Sequence, residues 1–153
     1  GISDAPTNRR AATMNLKRAL AILAANDVAA KGSFMHAFHE RDRFDTASFW
    51  TLFTALSVIG AAPPRMRGKD AGRQTSHIYH HILRCIIFHF SEHDLCRIRR
   101  LPGRTLTAYI DRLEWVCTPI INGHQGFGPG YFSDRMKNPH QRVLDRLFRK
   151  REK

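Results

Sequence analysis

Thr46-Ala47-Ser48-Phe49-Trp50-Thr51-Leu52-Phe53-Thr54-Ala55-Leu56-Ser57-Val58-Ile59-Gly60 carries large apolar side chains at 49, 50, 52, 53, 56 and 59. That spacing is one broad face of an α-helix rather than the alternation of a strand. Asp45 or Thr46 supplies the cap, and Gly60 followed by Pro63-Pro64 predicts the stop. Upstream, residues 14 to 31 repeat the pattern with Leu16, Ala19, Leu20, Leu23 and Val28, leaving Lys17 and Arg18 outside it. Asn15 or Thr13 caps that segment and Gly32 closes it. Phe34, Met35 and Phe38 open a shorter helix ending in Glu40-Arg41-Asp42-Arg43.

Downstream, residues 63 to 75 read as a polar basic loop, and Ser76 opens a helix running to Phe90. The β-branched residues between 82 and 90 allow a strand, but the length and the Ile78, Ile82, Cys85, Ile86, His89 spacing favour a helix. Ser91 with Asp94 three residues later predicts a short helix to Arg100, and Leu101-Pro102-Gly103 a turn. Thr105 begins a helix through Leu106, Tyr109, Ile110, Leu113, Val116 and Cys117, with its end expected at Pro119. Asn138-Pro139 starts a last helix with the stripe Val143, Leu144, Leu147, Phe148 and a basic end. No segment alternates with period two over a useful length. The expected fold is all-α: an irregular helical bundle or a short α-solenoid of helix pairs, with basic loops and a basic C-terminal helix. Its expected parts are an N-terminal basic extension (1–13), a helical domain (14–121), a Gly/aromatic loop (122–137) and the basic C-terminal helix (138–153).

The 153 residues include 37 Leu, Ile, Val and Phe, about a quarter of the chain, which is enough for a folded core. No apolar run approaches the roughly 18 residues needed to cross a bilayer. Cys85, Cys96 and Cys117 form no Cys-x-x-Cys pair, which points to a reducing compartment rather than a disulfide scaffold. The formal charge of +12 exceeds what solubility demands. Such a surface attracts polyanions, with nucleic acid the commonest, and also acidic proteins or acidic lipid.

The basic side chains gather in four places: Arg9, Arg10, Lys17 and Arg18; Arg65, Arg67, Lys69 and Arg73; Arg97, Arg99, Arg100 and Arg104; and the C-terminal Arg142, Arg146, Arg149, Lys150 and Arg151. Arginine dominates, and its planar fork suits phosphate and base-plane contacts. These residues are the expected RNA-binding set; the bland alternative is a solvated surface. Gly126-Phe127-Gly128-Pro129-Gly130-Tyr131-Phe132 offers rings that either stack on unpaired bases or tuck back onto a helix. Its glycines lack the Gly-Lys-Ser/Thr of a phosphate loop.

Cys85, His89, His93 and Cys96 follow one another at helical spacing. On one continuous helix the outer two lie about 16 Å apart, too far for a shared zinc ion, so a site there requires a break near Ser91. Buried Cys and His are the commoner outcome, and neither metal nor other cofactor is expected. His36 with Glu40, His77 with His81, and Asp111 with Glu114 can each sit about one helical turn apart. None belongs to a motif that also supplies a nucleophile or a phosphate cradle, so no enzyme is expected.

Three segments share a rhythm: Asn15-Leu16-Lys17-Arg18-Ala19-Leu20-Ala21-Ile22-Leu23-Ala24, then residues 48 to 60, then Thr107-Ala108-Tyr109-Ile110-Asp111-Arg112-Leu113-Glu114-Trp115. Across residues 14 to 121 this texture, above all Phe49-Trp50 and Leu52-Phe53-x-x-Leu56-Ser57-x-x-Gly60, resembles the pentatricopeptide-like helical-repeat proteins of organelles. The paired base-reading positions of that family are not identifiable here, so no base code carries over. The resemblance implies RNA binding in an organelle, as part of a ribosome or its assembly machinery.

The chain opens Gly1-Ile2-Ser3-Asp4 without methionine, as expected of a processed chain, a tag remnant or a fragment. Removal of a presequence fits the mitochondrial matrix, and the cytoplasm is the alternative. The expected function is that of an RNA-binding structural constituent of a mitochondrial ribosome or related ribonucleoprotein. Its expected partners are rRNA and neighbouring proteins, with Phe34, Phe38, Trp50 and Trp115 serving either as protein contacts or as core. The alternatives are a helical adaptor of a protein complex and a DNA-binding regulator using the helix after Pro102-Gly103. A clear helix-turn-helix spacing is missing for the last.

Overall fold

The computed structural model of the chain describes residues 14–126, 132, 134 and 136–149. Helix α1 (Leu16–Asp27) is capped by Asn15, whose Oδ1 accepts the Arg18 N–H at 2.8 Å. Asn26 is buried in its last turn; its side-chain amide donates to the Ile22 carbonyl at 2.9 Å, and its Oδ1 accepts the Met35 N–H at 3.0 Å. That bridge fixes where the next segment enters the core. The shorter helix expected there is a single π-helical turn, His36–Glu40. Phe34 and Phe38, one turn apart, are both buried and stack at 5.3 Å. The turn serves to place rings rather than to span distance.

Helix α2 (Thr46–Ala61) is the centre of the molecule. Asp45 caps it by accepting the Ser48 N–H at 3.0 Å, and Arg43 sits 3.0 Å from the other carboxylate oxygen. The Ser48 hydrogen bond comes first in holding the Asp45 carboxyl below its usual range. From residue 49 to 61 every residue except Thr51 is buried, as in a helix surrounded on all sides. Thr54 and Ser57 are tolerated there because their hydroxyls donate to the Trp50 and Phe53 carbonyls, each at 2.8 Å. Phe34, Phe38, Phe44, Phe49, Trp50 and Tyr109 interlock as one aromatic cluster. Phe34, Phe38 and Trp50 are therefore core and not contact residues, whereas Trp115 remains partly exposed.

A 3-10 turn (Pro64–Met66) follows, and helix α3 (Ala71–Phe90) begins five residues before the expected Ser76. Ala71 and Thr75 are buried, and Gly72 lies against the Ile120 carbonyl, so packing recruits the end of the expected loop into the helix. No helix forms between 91 and 100. Asp94 accepts the Cys96 N–H at 2.9 Å, the His89 ring accepts the Ile98 N–H at 2.8 Å, and Arg97 donates to the His89 carbonyl at 3.1 Å. These side chains take the backbone partners a helix would need. The chain then pairs with residues 42 to 44: Phe44 N–H donates to Arg99 at 2.9 Å and Arg99 N–H to Asp42 at 2.6 Å, around an isolated Arg43–Arg99 bridge.

Helix α4 (Leu106–Ile121) runs through Pro119 instead of ending there. Pro119 is buried, and its carbonyl accepts the His124 N–H at 2.8 Å. Asn138 caps a turn by accepting the His140 N–H at 2.8 Å before helix α5 (Gln141–Arg149), which buries Leu144. Helix α1 packs on α2, α2 on α4, α4 on α3, and α3 back on α1, while α5 covers α2. That closed circuit makes the protein an all-α bundle. Among the described residues there is no strand, and no helix is long and apolar enough to cross a membrane.

Two arginines serve this core. Arg67, expected on the RNA-binding surface, is only 4% exposed. Its guanidinium donates to the Ile59 and Gly60 carbonyls at 2.9 Å, to Pro119 at 3.4 Å and to His124. It thus ties together the C-terminal ends of α2 and α4, where carbonyls are left over and the helix dipoles favour a cation. Gly126 comes so close to the same point, its N–H donating to Gly60 at 2.7 Å, that an added Cβ would stand 3.0 Å from the Gly60 oxygen. Arg112, also buried, holds Asp134 through two bonds of 2.8 Å and lies 4.3 Å over the Phe132 ring. Phe132 therefore tucks back on α4; residues 127–131 of the Gly/aromatic loop lie outside the described residues. The Arg112 hydrogen bonds pull the Asp134 carboxyl down to about 2. Its contribution to stability is therefore full above the ordinary Asp range near 4 and is lost as pH falls toward 2. Asp134→Asn should lower the melting temperature at pH 7, and the gap from the native chain should close in an acid melting series.

Candidate nucleic-acid interface

The outward face of α3 gathers a row of basic side chains. Arg73, His77, His80 and Arg84 are exposed at i, i+4, i+7 and i+11, so they form one stripe along the helix. The stripe is about 16 Å long, over which one strand of a duplex presents roughly five phosphates. With Ser76 and His81 it lines a shallow groove of about 450 Å³. Helix α3 contains no Asp or Glu. Asp27 at the end of α1 faces the stripe, with one carboxylate oxygen 2.8 Å from His77 Nδ1 and the other 3.4 Å from Arg73. Both basic side chains stay more than half exposed, so the pair orients them without removing them from solvent.

At the lower edge of the groove, His81 Nε2 lies 2.9 Å from His39 Nδ1 and 3.4 Å from Cys85 Sγ. Burial, then the charges of His39, His77 and Arg84, hold the His81 imidazole below the ordinary histidine range. Burial likewise pushes the Cys85, Cys96 and Cys117 thiols up, so all three stay protonated near neutral pH. Among the described residues no group of three or more His, Cys, Asp or Glu is placed to hold a metal ion. Cys85, His89, His93 and Cys96 do not gather as such a group: the His89 ring accepts the Ile98 N–H and Cys85 faces His81, while Cys96 lies near enough to act on the Cys85 thiol.

A second basic assembly joins segments far apart in sequence. The Arg43–Arg99 bridge, with Arg99 donating to the Arg41 carbonyl at 2.9 Å, sets Arg41 and Arg43 beside the expected Arg97, Arg99 and Arg100. Arg41, Arg97, Arg99 and Arg100 are exposed, and Arg43 is partly buried in its pair with Asp45. The other expected residues stand separately. Arg65 and Lys69 are exposed on the turn before α3, Arg104 before α4, Lys17 on α1, and Arg142, Arg146 and Arg149 along the outer side of α5; Arg18 is half-buried. Arg9, Arg10, Lys150 and Arg151 lie outside the described residues.

Sequence reading by clusters missed His77, His80, His81 and Arg84 as partners of Arg73, although their spacing as one helical stripe was available. Arg41 and Arg43 carried no such local signal, since a pairing across the chain unites them with Arg99. No family model, curated protein or solved structure matches this chain.

The arrangement suits phosphate: fixed arginines at the ends of the groove and titratable imidazoles between them. Affinity for a structured RNA should therefore rise on the acid side of the ordinary histidine range near 6.5, because the His81 imidazole, held below that range by burial, gains its charge beside Arg84 only there. Fluorescence anisotropy with a labelled structured RNA from pH 8 to pH 5, at constant salt, measures the rise. A flat profile would remove His81 from the contact.

Proposed function

We propose that this protein is an RNA-binding structural constituent of a ribonucleoprotein, with the mitochondrial ribosome as the first particle to test. The observation that carries the reading is the Arg73, His77, His80, Arg84 stripe on a helix with no acidic residue. The cations contact phosphate, while imidazole and guanidinium planes also stack on unpaired bases, which suits folded RNA with exposed loops. The buried aromatic centre around α2 supports that role by giving the stripe a rigid mount. A regulator reading duplex DNA by sequence would lay this helix in the major groove, and competition between duplex DNA and structured RNA separates that reading from this one.

Sedimentation of the native protein from a gently lysed organelle fraction, with and without RNase, tests this reading. Migration in a large particle that collapses on RNase treatment is the expected result. A large particle indifferent to RNase would replace it with the adaptor reading, and a slowly sedimenting free protein would exclude both.

A further inference from the structure

The distal part of α3 carries a second stripe that the core does not use. The buried residues of this helix are Ala71, Thr75, Ile78 and Ile82, and none after Ile82 is buried. Leu83, Ile87 and Phe90 follow at i, i+4 and i+7, hence on one face beside the cationic stripe. Ile87 is 67% exposed and Phe90 66%, and Leu95 in the arch that follows is 97% exposed. The arch is held by the Arg97 guanidinium, which donates to the His89 carbonyl at 3.1 Å and to Ser91 at 3.4 Å, and by the Ile98 N–H on the His89 ring. Leu95 is thus presented on a fixed backbone rather than a free end.

We propose that Leu83, Ile87 and Phe90, extended by Leu95, form a docking stripe for an acidic amphipathic helix of a protein partner. Apolar residues one and two turns apart are the ridge that a second helix covers with its own apolar face. Leu83, Ile87 and Leu95 are aliphatic and offer no ring for a base to stack on, which leaves Phe90 as the one ring of this stripe. Charge selects the occupant. Arg84, whose guanidinium lies 5.0 Å over Phe88, and His80 border the stripe, and α3 has no acid of its own. Glu92 and Asp94 lie past its end, where Asp94 is bonded to the Cys96 N–H. A second copy would bring one cationic flank toward another on chains of charge +12, so a helix with Glu or Asp along its edge is the complementary partner.

The inference shares Arg84 and His80 with the RNA reading but does not rest on it, and the test keeps them apart. The probe is a fluorescein-labelled four-heptad peptide with Leu at the a and d positions and Glu at the flanking ones; its control carries Lys in place of Glu. Anisotropy with the full chain should show the Glu peptide binding at least about tenfold more tightly than the Lys peptide. The double variant Ile87→Ser/Phe90→Ser should lose about tenfold or more in that affinity. Its circular dichroism and its affinity for structured RNA should match the native chain. Equal binding of the Glu peptide by native chain and variant would overturn the proposal, as would no binding by either. Self-association in sedimentation velocity that the variant abolishes would assign the stripe to a second copy instead. Loss of binding to phosphatidylglycerol vesicles, with peptide binding unchanged, would assign it to lipid.

Discussion

Replacing Arg67 by methionine should lower the stability of the protein by about 3 kcal/mol or more, the largest effect of any arginine in the expected RNA-binding set. Arg67 is buried with carbonyls of Ile59, Gly60, Pro119 and His124 around its guanidinium. Methionine keeps much of the apolar stem but returns none of those hydrogen bonds, leaving buried acceptors at two helix ends without their shared donor. Arg67→Lys should recover only part of the loss, since one ammonium on a flexible stem cannot reproduce a planar fork. Arg65→Gln, two residues away and exposed, should change stability by less than about 0.5 kcal/mol. Urea denaturation of the four proteins measures the series. Folded Arg67→Lys should bind RNA as the native chain does; a selective loss of RNA affinity without loss of stability would return Arg67 to the surface.

The triple variant Arg73→Gln/His80→Gln/Arg84→Gln should bind structured RNA about 100-fold less tightly at moderate salt. Each arginine–phosphate contact contributes roughly 1 to 2 kcal/mol, and two of them account for that factor. The same variant should flatten the plot of log affinity against log salt by about 2, one for each phosphate contact removed. Stability should move little, because all three side chains are exposed. Neutralising Arg142 and Arg149 on α5 instead offers a control of equal charge change: a loss as large as that of the α3 variant would mean that bulk charge, and not the stripe, governs binding.

The bundle was legible because burial imposes a period. Phe49, Leu52, Phe53, Leu56 and Ile59 announce a core helix from the residues alone, and the Asn15 and Asp45 caps fall where side-chain chemistry places them. Readings resting on one local signal fared less well. Ser91 and Asp94 resemble a helix start, yet Asp94, His89 and Arg97 hold the backbone as an arch. Pro119 resembles a stop, yet burial between packed helices carries α4 past it. The basic clusters were visible as charge, but which face each side chain takes depends on contacts distant in sequence. Arg67 turns inward because two helix ends meet beside it, and Arg43 joins Arg99 because a loop returns across the bundle. Nothing in the run from 63 to 75 separates Arg67 from Arg65 before the chain is folded.

Histidines offer a direct view of the proposed interface, since they are spread over the surface and react with diethyl pyrocarbonate when exposed. Modification of the protein with and without bound structured RNA, read residue by residue by mass spectrometry, should show His77 and His80 protected by RNA. His124, exposed beyond the end of α4, should react equally in both samples. Equal reactivity of His77 and His80 with and without RNA would contradict the assignment of the α3 groove as the RNA-binding surface.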